Sequence, residues 1–479
     1  MSTQILEKNP TFWFYGSASI AYGIKNNAFS YLLLIYANQV LGLPGYLASL
    51  ALAIAMLWDA VSDLLLGHWS DKTTSRLGRR HPFMYSAFFL LPVTFYALFN
   101  PVVALDDSNT FWYVLTMALL IRTGTTLFEV PSTALLPDLE TDYDRRNKWL
   151  ALRHFFGWTG GNGIHMINFM FWVGAYGVAS QAGYSIYGIV GALVIAAAIM
   201  VSSLGTQRVA ASLPKPVEPF RFLAIKREIQ QIFQSVKNKN FAALFFYGLT
   251  VGIAGGLGTA LYLYNTTYFF GFSGAQISVT AIGVLASPVI AYWAAPYLGG
   301  VFGKKGAAII AILVNIALYP IPYILLLTGW WPELGSWLSL YIYSGFIVME
   351  VICGIIGGVL LDSMMADVVE DSELKTQRRS EGLFYAARGF AAKAISAGGI
   401  VGAGSIVSLV GLDGVTSVEA VTYEIRLDLA TLFLPIYCGL YLVGLAIVSR
   451  YRITRDDHNA HLQALGARRS ADASASSAG

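Results

Sequence analysis

Charge is what this sequence is short of. Asp, Glu, Lys and Arg make up 12% of its 479 residues, against about 25% in soluble globular domains, while 56% are hydrophobic. That deficit excludes an ordinary water-soluble globule, because too little polar surface remains to cover one. Lipid must take the place of water. Cysteine is nearly absent. Cys353 and Cys438 each sit inside an apolar run without metal-ligand spacing, which excludes a disulfide framework and a cysteine-based zinc site and makes both core residues. Six histidines provide no HExxH, no paired set and no nucleophile–base spacing. An enzyme is therefore not expected, nor is a cofactor. The net charge of +3 points to no charged macromolecular partner, and no nucleic acid is expected. The first residues are polar and the following apolar run is too long for a cleavable signal, so the first helix is expected to serve as an uncleaved insertion signal.

What the sequence has instead is long apolar runs. A membrane crossing needs about twenty such residues, and stretches of that kind lie near 12–40, 45–68, 83–103, 110–137, 150–175, 183–205, 240–268, 275–302, 306–328, 335–365, 382–410 and 427–450. This predicts an all-α membrane protein of twelve helices. Lys and Arg alternate between loops. Lys72, Arg76, Arg79 and Arg80 follow the second stretch, Arg145, Arg146 and Lys148 the fourth, Lys304 and Lys305 the eighth, and Lys375, Arg378 and Arg379 the tenth. The loops near 104–109, 176–182, 269–274, 329–334 and 411–422 have neither. Since basic loops stay in the cytoplasm, both termini are expected there, in a multi-pass protein of the inner membrane.

The chain also repeats itself. Leu136-Pro137-Asp138-Leu139-Glu140 and Met365-Ala366-Asp367-Val368-Val369-Glu370 each precede a charged loop, and Asp138 and Asp367 are 229 residues apart. The basic loops beginning at Gly67 and Gly299 are 232 apart. A shared offset indicates a duplicated six-helix unit, the arrangement in which one half rocks against the other around a central site. The expected halves are 1–205 and 240–455, joined by a cytoplasmic linker at 206–239. The linker suits either a surface-lying amphipathic helix or a solvated one. An Ala/Ser-rich tail over 456–479 is expected to be disordered.

Charges inside the membrane are candidates for function by default, since each costs about 2.5–3.5 kcal/mol to insert. Asp59 and Asp63 are four apart on the second helix and share a face, with Ser62 beside them. Thr126 and Glu129 lie in the fourth. Carboxylates and hydroxyls are hard ligands suited to Na⁺, Li⁺ or H⁺; the alternative role is a salt bridge between helices. The positive candidates are Lys393, Arg153 and Arg122. Arg153 suits either a polar substrate group or an interfacial position. Glu350 and Asp362 in the tenth helix are weaker candidates. Tyr22, Tyr31, Lys25, Asn26 and Trp58 are candidates for lining the cavity, and His165 reads as a packing residue rather than a proton relay.

Trp58-Asp59-Ala60-Val61-Ser62-Asp63, then Gly67, then Thr74-Ser75-Arg76-Leu77-Gly78-Arg79-Arg80-His81-Pro82 resembles the second-helix signature of the glycoside–pentoside–hexuronide:cation symporters, the melibiose permease-like branch of the major facilitator superfamily. The likeness continues through Glu129-Val130-Pro131, Arg153, Met365-Ala366-Asp367-Val368-Val369 and Lys393. It implies two pseudo-symmetric six-helix halves and a cation site of Asp59, Ser62, Asp63 and Thr126, which is a metal site if the ion is Na⁺. It implies Lys393 as the coupling residue and a solute site with Glu129 and Arg153. Three family side chains are missing. A sugar-binding aspartate falls on about Gly23, and two tryptophans fall on Thr133 and about Gly358. With Tyr22 and Asn26, Thr133 and Gly358 complete the candidate solute site. Losing two stacking platforms argues against a galactoside. The expected activity is cation-coupled symport of a sugar or glycoside by a monomer in the bilayer. The alternative is sodium-coupled symport of a lysolipid or other amphipathic solute. The cytoplasmic side is expected to close through Asp71, Asp138 and Asp367 facing Arg79, Arg145 and Arg378.

Overall fold

The structure, a computed structural model, describes residues 9–140, 142–211, 238–376, 396–461 and 463–464. All regular structure among them is helical. The helices are α1 (Pro10–Asn27), α2 (Gly45–Lys72), α3 (His81–Phe99), α4 (Thr110–Ala134), α5 (Tyr143–Ile167), α6 (Gln181–Ala211), α7 (Lys239–Tyr264), α8 (Gly274–Leu318), α9 (Trp337–Thr376), α10 (Ser396–Leu409) and α11 (Tyr423–Val448). α8 breaks at Gly303, whose φ of +72° lies where side chains other than glycine are strained. That break gives two passes, so each of the twelve expected stretches contains a helix, the eleventh described only over α10. Among the described residues, eight helical spans are individually long and apolar enough to cross a membrane.

Local sequence explains the starts. Asn9 accepts a hydrogen bond from Thr11 N with Pro10 in the first turn. Asn238 caps α7, Ser273 and Gln276 form a capping box on α8, and Thr422 caps α11; each satisfies amide groups the helix leaves orphaned. α1 runs on to Val40 through π-helical turns at Ala28–Leu32 and Tyr36–Val40, and α7 continues through another at Asn265–Phe269. The second and third of these begin 229 residues apart, the same offset as Asp138 and Asp367. A further such turn, at Asn168–Trp172, has no counterpart at that offset.

In the first half α1 packs on α5 and α6, α2 on α4, and α3 on α4 and α6; in the second, α7 packs on α11 and α8 on α9. Lipid provides no hydrophobic drive between helices, so close backbone approach does much of this work. A Cβ on Gly23 would lie 2.1 Å from the Gly157 carbonyl oxygen, and one on Gly161 would lie 2.6 Å from that of Gly23. α1 and α5 therefore touch backbone to backbone. Bulky apolar side chains face outward, Trp293 with 73% of its surface exposed, as lipid-facing positions require. Cys353 is buried and Cys438 half-buried, both as free thiols.

The two halves join at one end. Asn38 Nδ2 donates to Asp413 Oδ1 (2.7 Å) and Gln39 Nε2 to the Leu412 carbonyl (2.7 Å). Gly45 N donates to the same Asp413 oxygen (2.9 Å) and Tyr264 Oη to Asn38 Oδ1 (3.0 Å). A Cβ on Gly274 would lie 2.1 Å from Gly174 Cα.

The opposite end carries the basic loops, and its pairing differs from expectation. Asp138 pairs with Arg79 (2.7 Å), and Arg80 pairs with both Asp138 and Asp71 (2.8 Å to Asp71). Arg145 turns to Glu140 (3.0 Å), away from Asp138. Asp367 takes Lys304 (2.6 Å); Arg378 lies outside the described residues. Each of these pairs lies within one half. Arg80 starts α3 beside the end of α2 and so reaches Asp71 before Arg79 can.

The expected disordered tail needs correcting at its start. Residues 455–461 are helical. Asp457 accepts from Thr454 N (2.9 Å) and Thr454 Oγ1 from Asp457 N (3.2 Å), a capping pair. His458 Nδ1 sits 3.2 Å from Asp367 and 3.0 Å from Glu370. Burial and the adjacent Asp367 carboxylate, 3.1 Å from its hydroxyl, push the Tyr451 phenol well above its ordinary value. The acidic end of α9 thus holds this segment in place.

Candidate solute and cation site

Three adjoining cavities lie between the halves, and Thr259 of α7 lines all of them. The first, about 440 Å³, is polar and includes Tyr22, Asn26, Glu129, Thr133 and Arg153 in its wall. Five of the six expected solute residues thus converge. Arg153 is buried (5% exposed). Its Nη2 lies 3.0 Å from Glu129 Oε1 and 3.1 Å from Thr133 Oγ1, and its Nη1 lies 3.3 Å from Ser132 Oγ. The guanidinium also stands 4.9 Å from the Tyr15 ring. These contacts place Arg153 in the cavity wall. Gly358 is the exception. It lies in none of the three cavities, and a Cβ there would meet nothing within 4 Å.

The second-helix acid leads into the next cavity, about 330 Å³, lined by Asp59, Arg122, Lys25 and Phe29. Asp59 is 3% exposed. Its Oδ2 lies 3.3 Å from Arg122 Nη1 and its Oδ1 lies 3.3 Å from Thr126 Oγ1, which is 3.0 Å from Ser62 Oγ. Arg122 in turn sits 4.2 Å from the Phe29 ring. Asp59, Ser62 and Thr126 therefore form one buried oxygen cluster, with Arg122 as a positive partner. Asp63, one turn on, is half-buried, and its charge also acts on Arg122. Lys393 lies outside the described residues.

The third cavity, about 170 Å³, belongs mainly to the second half and contains Glu350 among tyrosines. It shares Tyr31, Asn162 and Thr259 with the first. His165 also lines it, with its ring 5.1 Å from Tyr31 and 4.9 Å from Phe169, a packing position.

The residues not singled out from sequence are Trp158, Asn162 and Thr259. A signal existed for two of them. Arg153, His154, Gly157, Trp158 and Asn162 recur at helical spacing along α5 and all face the first cavity, a polar stripe in a membrane helix. Thr259 sits among glycines and alanines in α7 and has no such pattern.

A polar cavity at mid-bundle, flanked by buried charges and closed at one end, defines a multi-pass transporter of the major facilitator fold. The chain belongs to the MFS/sugar transport protein family, whose model matches residues 14–455. It is 25% identical to an uncharacterized symporter of Synechocystis, over 95% of this chain and 96% of that protein. It is 23% identical to the sodium-dependent lysophosphatidylcholine symporter 1 of Gallus gallus, over 94% and 88%. Among solved structures, the nucleoside transporter NupG aligns with a TM-score of 0.61 at 14% identity, covering 93% of this chain and 100% of that one. At that identity the likeness concerns the fold.

Proposed function

We propose that the chain is a cation-coupled symporter of a polar, hydroxyl-bearing solute, a sugar or glycoside. The observation carrying this is the direct adjacency of two cavities. The Arg153–Glu129–Thr133 wall shares Tyr22, Asn26, Ser30 and Thr259 with the Asp59–Arg122 cavity. Amide, hydroxyl, carboxylate and guanidinium groups on one wall suit a polyhydroxy solute. The cation site is Asp59, Ser62, Asp63 and Thr126. A Na⁺, Li⁺ or H⁺ there neutralises the acids that Arg122 otherwise compensates and releases the guanidinium toward the shared wall. Each ligand thereby favours the other, and a coupling of about 1–3 kcal/mol suffices. Lys393 serves the same coupling from the second half.

In this reading the halves are 1–205 and 240–455, joined by 206–239. The basic loops face the cytoplasm with both termini, in an inner membrane, and the protein works as a monomer. Asp71, Arg79, Asp138, Arg145, Asp367 and Arg378 belong to the cytoplasmic end, where the intra-half pairs hold each half rigid as it rocks.

The third cavity favours a second reading. Its apolar residues Val284, Ile347 and Val351 extend the solute space, as an amphipathic solute requires, and the named relative from Gallus gallus acts on a lysolipid. Uptake into proteoliposomes decides between them. A panel of sugars and lysolipids is tested with inward Na⁺, Li⁺ or H⁺ gradients of matched ionic strength. Gradient-driven sugar accumulation that Asp59→Asn abolishes is the expected result. Lysolipid accumulation alone moves the assignment to the second reading, and uptake indifferent to all three gradients sinks symport.

A further inference from the structure

Glu350 has no part in the cation or solute contacts described above. It projects from α9 into the third cavity, where its Oε1 accepts a hydrogen bond from Tyr437 Oη (2.9 Å). Tyr437 stacks on Tyr319 with ring centroids 4.1 Å apart, and Tyr441 lies 5.0 Å from Tyr437. Tyr319, Tyr343, Tyr441 and, from the other side, Tyr31 and Tyr262 line the same space. Among the described residues no lysine or arginine forms an ion pair with Glu350. The carboxylate is also given room. A Cβ on Gly258 would lie 3.8 Å from Glu350 Oε1 and 3.1 Å from Tyr437 Cε2, so a glycine keeps open the space beside the acid.

A carboxylate on a membrane-spanning helix, with no cationic neighbour among the described residues, calls for a positive partner. Tyrosine faces attract organic cations, most strongly where water is excluded. A substituted ammonium loses little by shedding water and gains both the charge and the rings. We infer that the third cavity is a binding site for an organic ammonium group, and that the solute reaches it with a cationic substituent while its hydroxyl-bearing part lies against Arg153 and Glu129. This rests on reading the central cavities as the solute site and narrows the solute to an amine-bearing one.

The test uses purified full-length protein in detergent micelles. Tetramethylammonium chloride and glucosamine are titrated by calorimetry, with neopentyl alcohol and glucose as their uncharged counterparts. Saturable binding of tetramethylammonium is expected. It weakens about tenfold or more in Glu350→Gln and stays within about twofold in Glu333→Gln, which alters an exposed loop acid outside the cavities. Gly258→Ala, which fills the space but keeps the charge, weakens it as well and serves should Glu350→Gln fail to fold. The inference is overturned if tetramethylammonium and neopentyl alcohol bind alike, or if Glu350→Gln changes only the pH dependence of thermal unfolding, which makes the site a proton site. Glucose binding without amine preference sinks the inference while leaving the sugar reading intact. Amine binding through Glu350 without any sugar binding does the reverse.

Discussion

Two guanidinium–carboxylate contacts dominate at the level of single residues, and they differ in kind. Asp59 and Arg122 are both nearly inaccessible. Removing one partner from such a pair strands the other charge in low dielectric and costs about 3–5 kcal/mol. Arg122→Met is therefore expected to lower the thermal unfolding temperature sharply, and Na⁺ or Li⁺ added at constant ionic strength should restore part of it by occupying the oxygen cluster. An unfolding temperature indifferent to every cation removes Asp59 from the ion site. Arg153 instead points into the solute cavity with three oxygens around its fork. A lysine has the charge but not the planar fork, so Arg153→Lys is expected to raise the KM for uptake about tenfold while leaving the unfolding temperature close to that of the parent protein. Sequence exposed both arginines as costly intramembrane charges. It did not assign their partners, because Asp59 and Arg122 are 63 residues apart on different helices and only packing brings α2 against α4.

At the level of helices, small residues set how closely elements approach. Gly23→Ala would drive a methyl group into the Gly157 carbonyl, whereas Gly157→Ala would meet Ser19 Cβ at an ordinary 3.4 Å. The first substitution should cost about 1–3 kcal/mol as overpacking and the second much less, a contrast measurable by thermal unfolding of the two variants. Equal stabilities would mean that α1 and α5 pack differently. Element ends follow capping chemistry where it is local, as at Ser273-Gly274-Ala275-Gln276. The helix at 455–461 runs against the sequence expectation. Its capping residues Thr454 and Asp457 were present in the sequence, but the weight of Ala and Ser beyond them points to disorder, and the acids that anchor it sit on α9.

For the molecule as a whole, the governing feature is asymmetry between its two ends. Asp413 gathers Asn38 and Gly45 across the halves, whereas at the other end the ion pairs among the described residues stay within one half. Asp413→Ala leaves two donors of the closed end without their acceptor, at about 1–3 kcal/mol. The expected outcome is a population shift toward a state open on that side. It should appear as faster labelling of a Tyr31→Cys variant by a membrane-impermeant thiol reagent applied from the side of the 411–413 loop. Unchanged labelling would falsify the role of this contact as a gate.

Composition and period alone determined the solvent and the helical class, because a bilayer leaves few options to a backbone and taxes every charge. They also picked out Asp59, Glu129 and Arg153, since charges in apolar runs stand out against their neighbours. Tertiary structure decided who pairs with whom. It gave Asp59 to Arg122, turned Arg145 from Asp138 to Glu140, left Gly358 outside the cavities, and gathered tyrosines from α1, α7, α8, α9 and α11 around Glu350. Aromatic residues are so common in this chain that no spacing marks those few. Only the crossing of distant helices makes them neighbours.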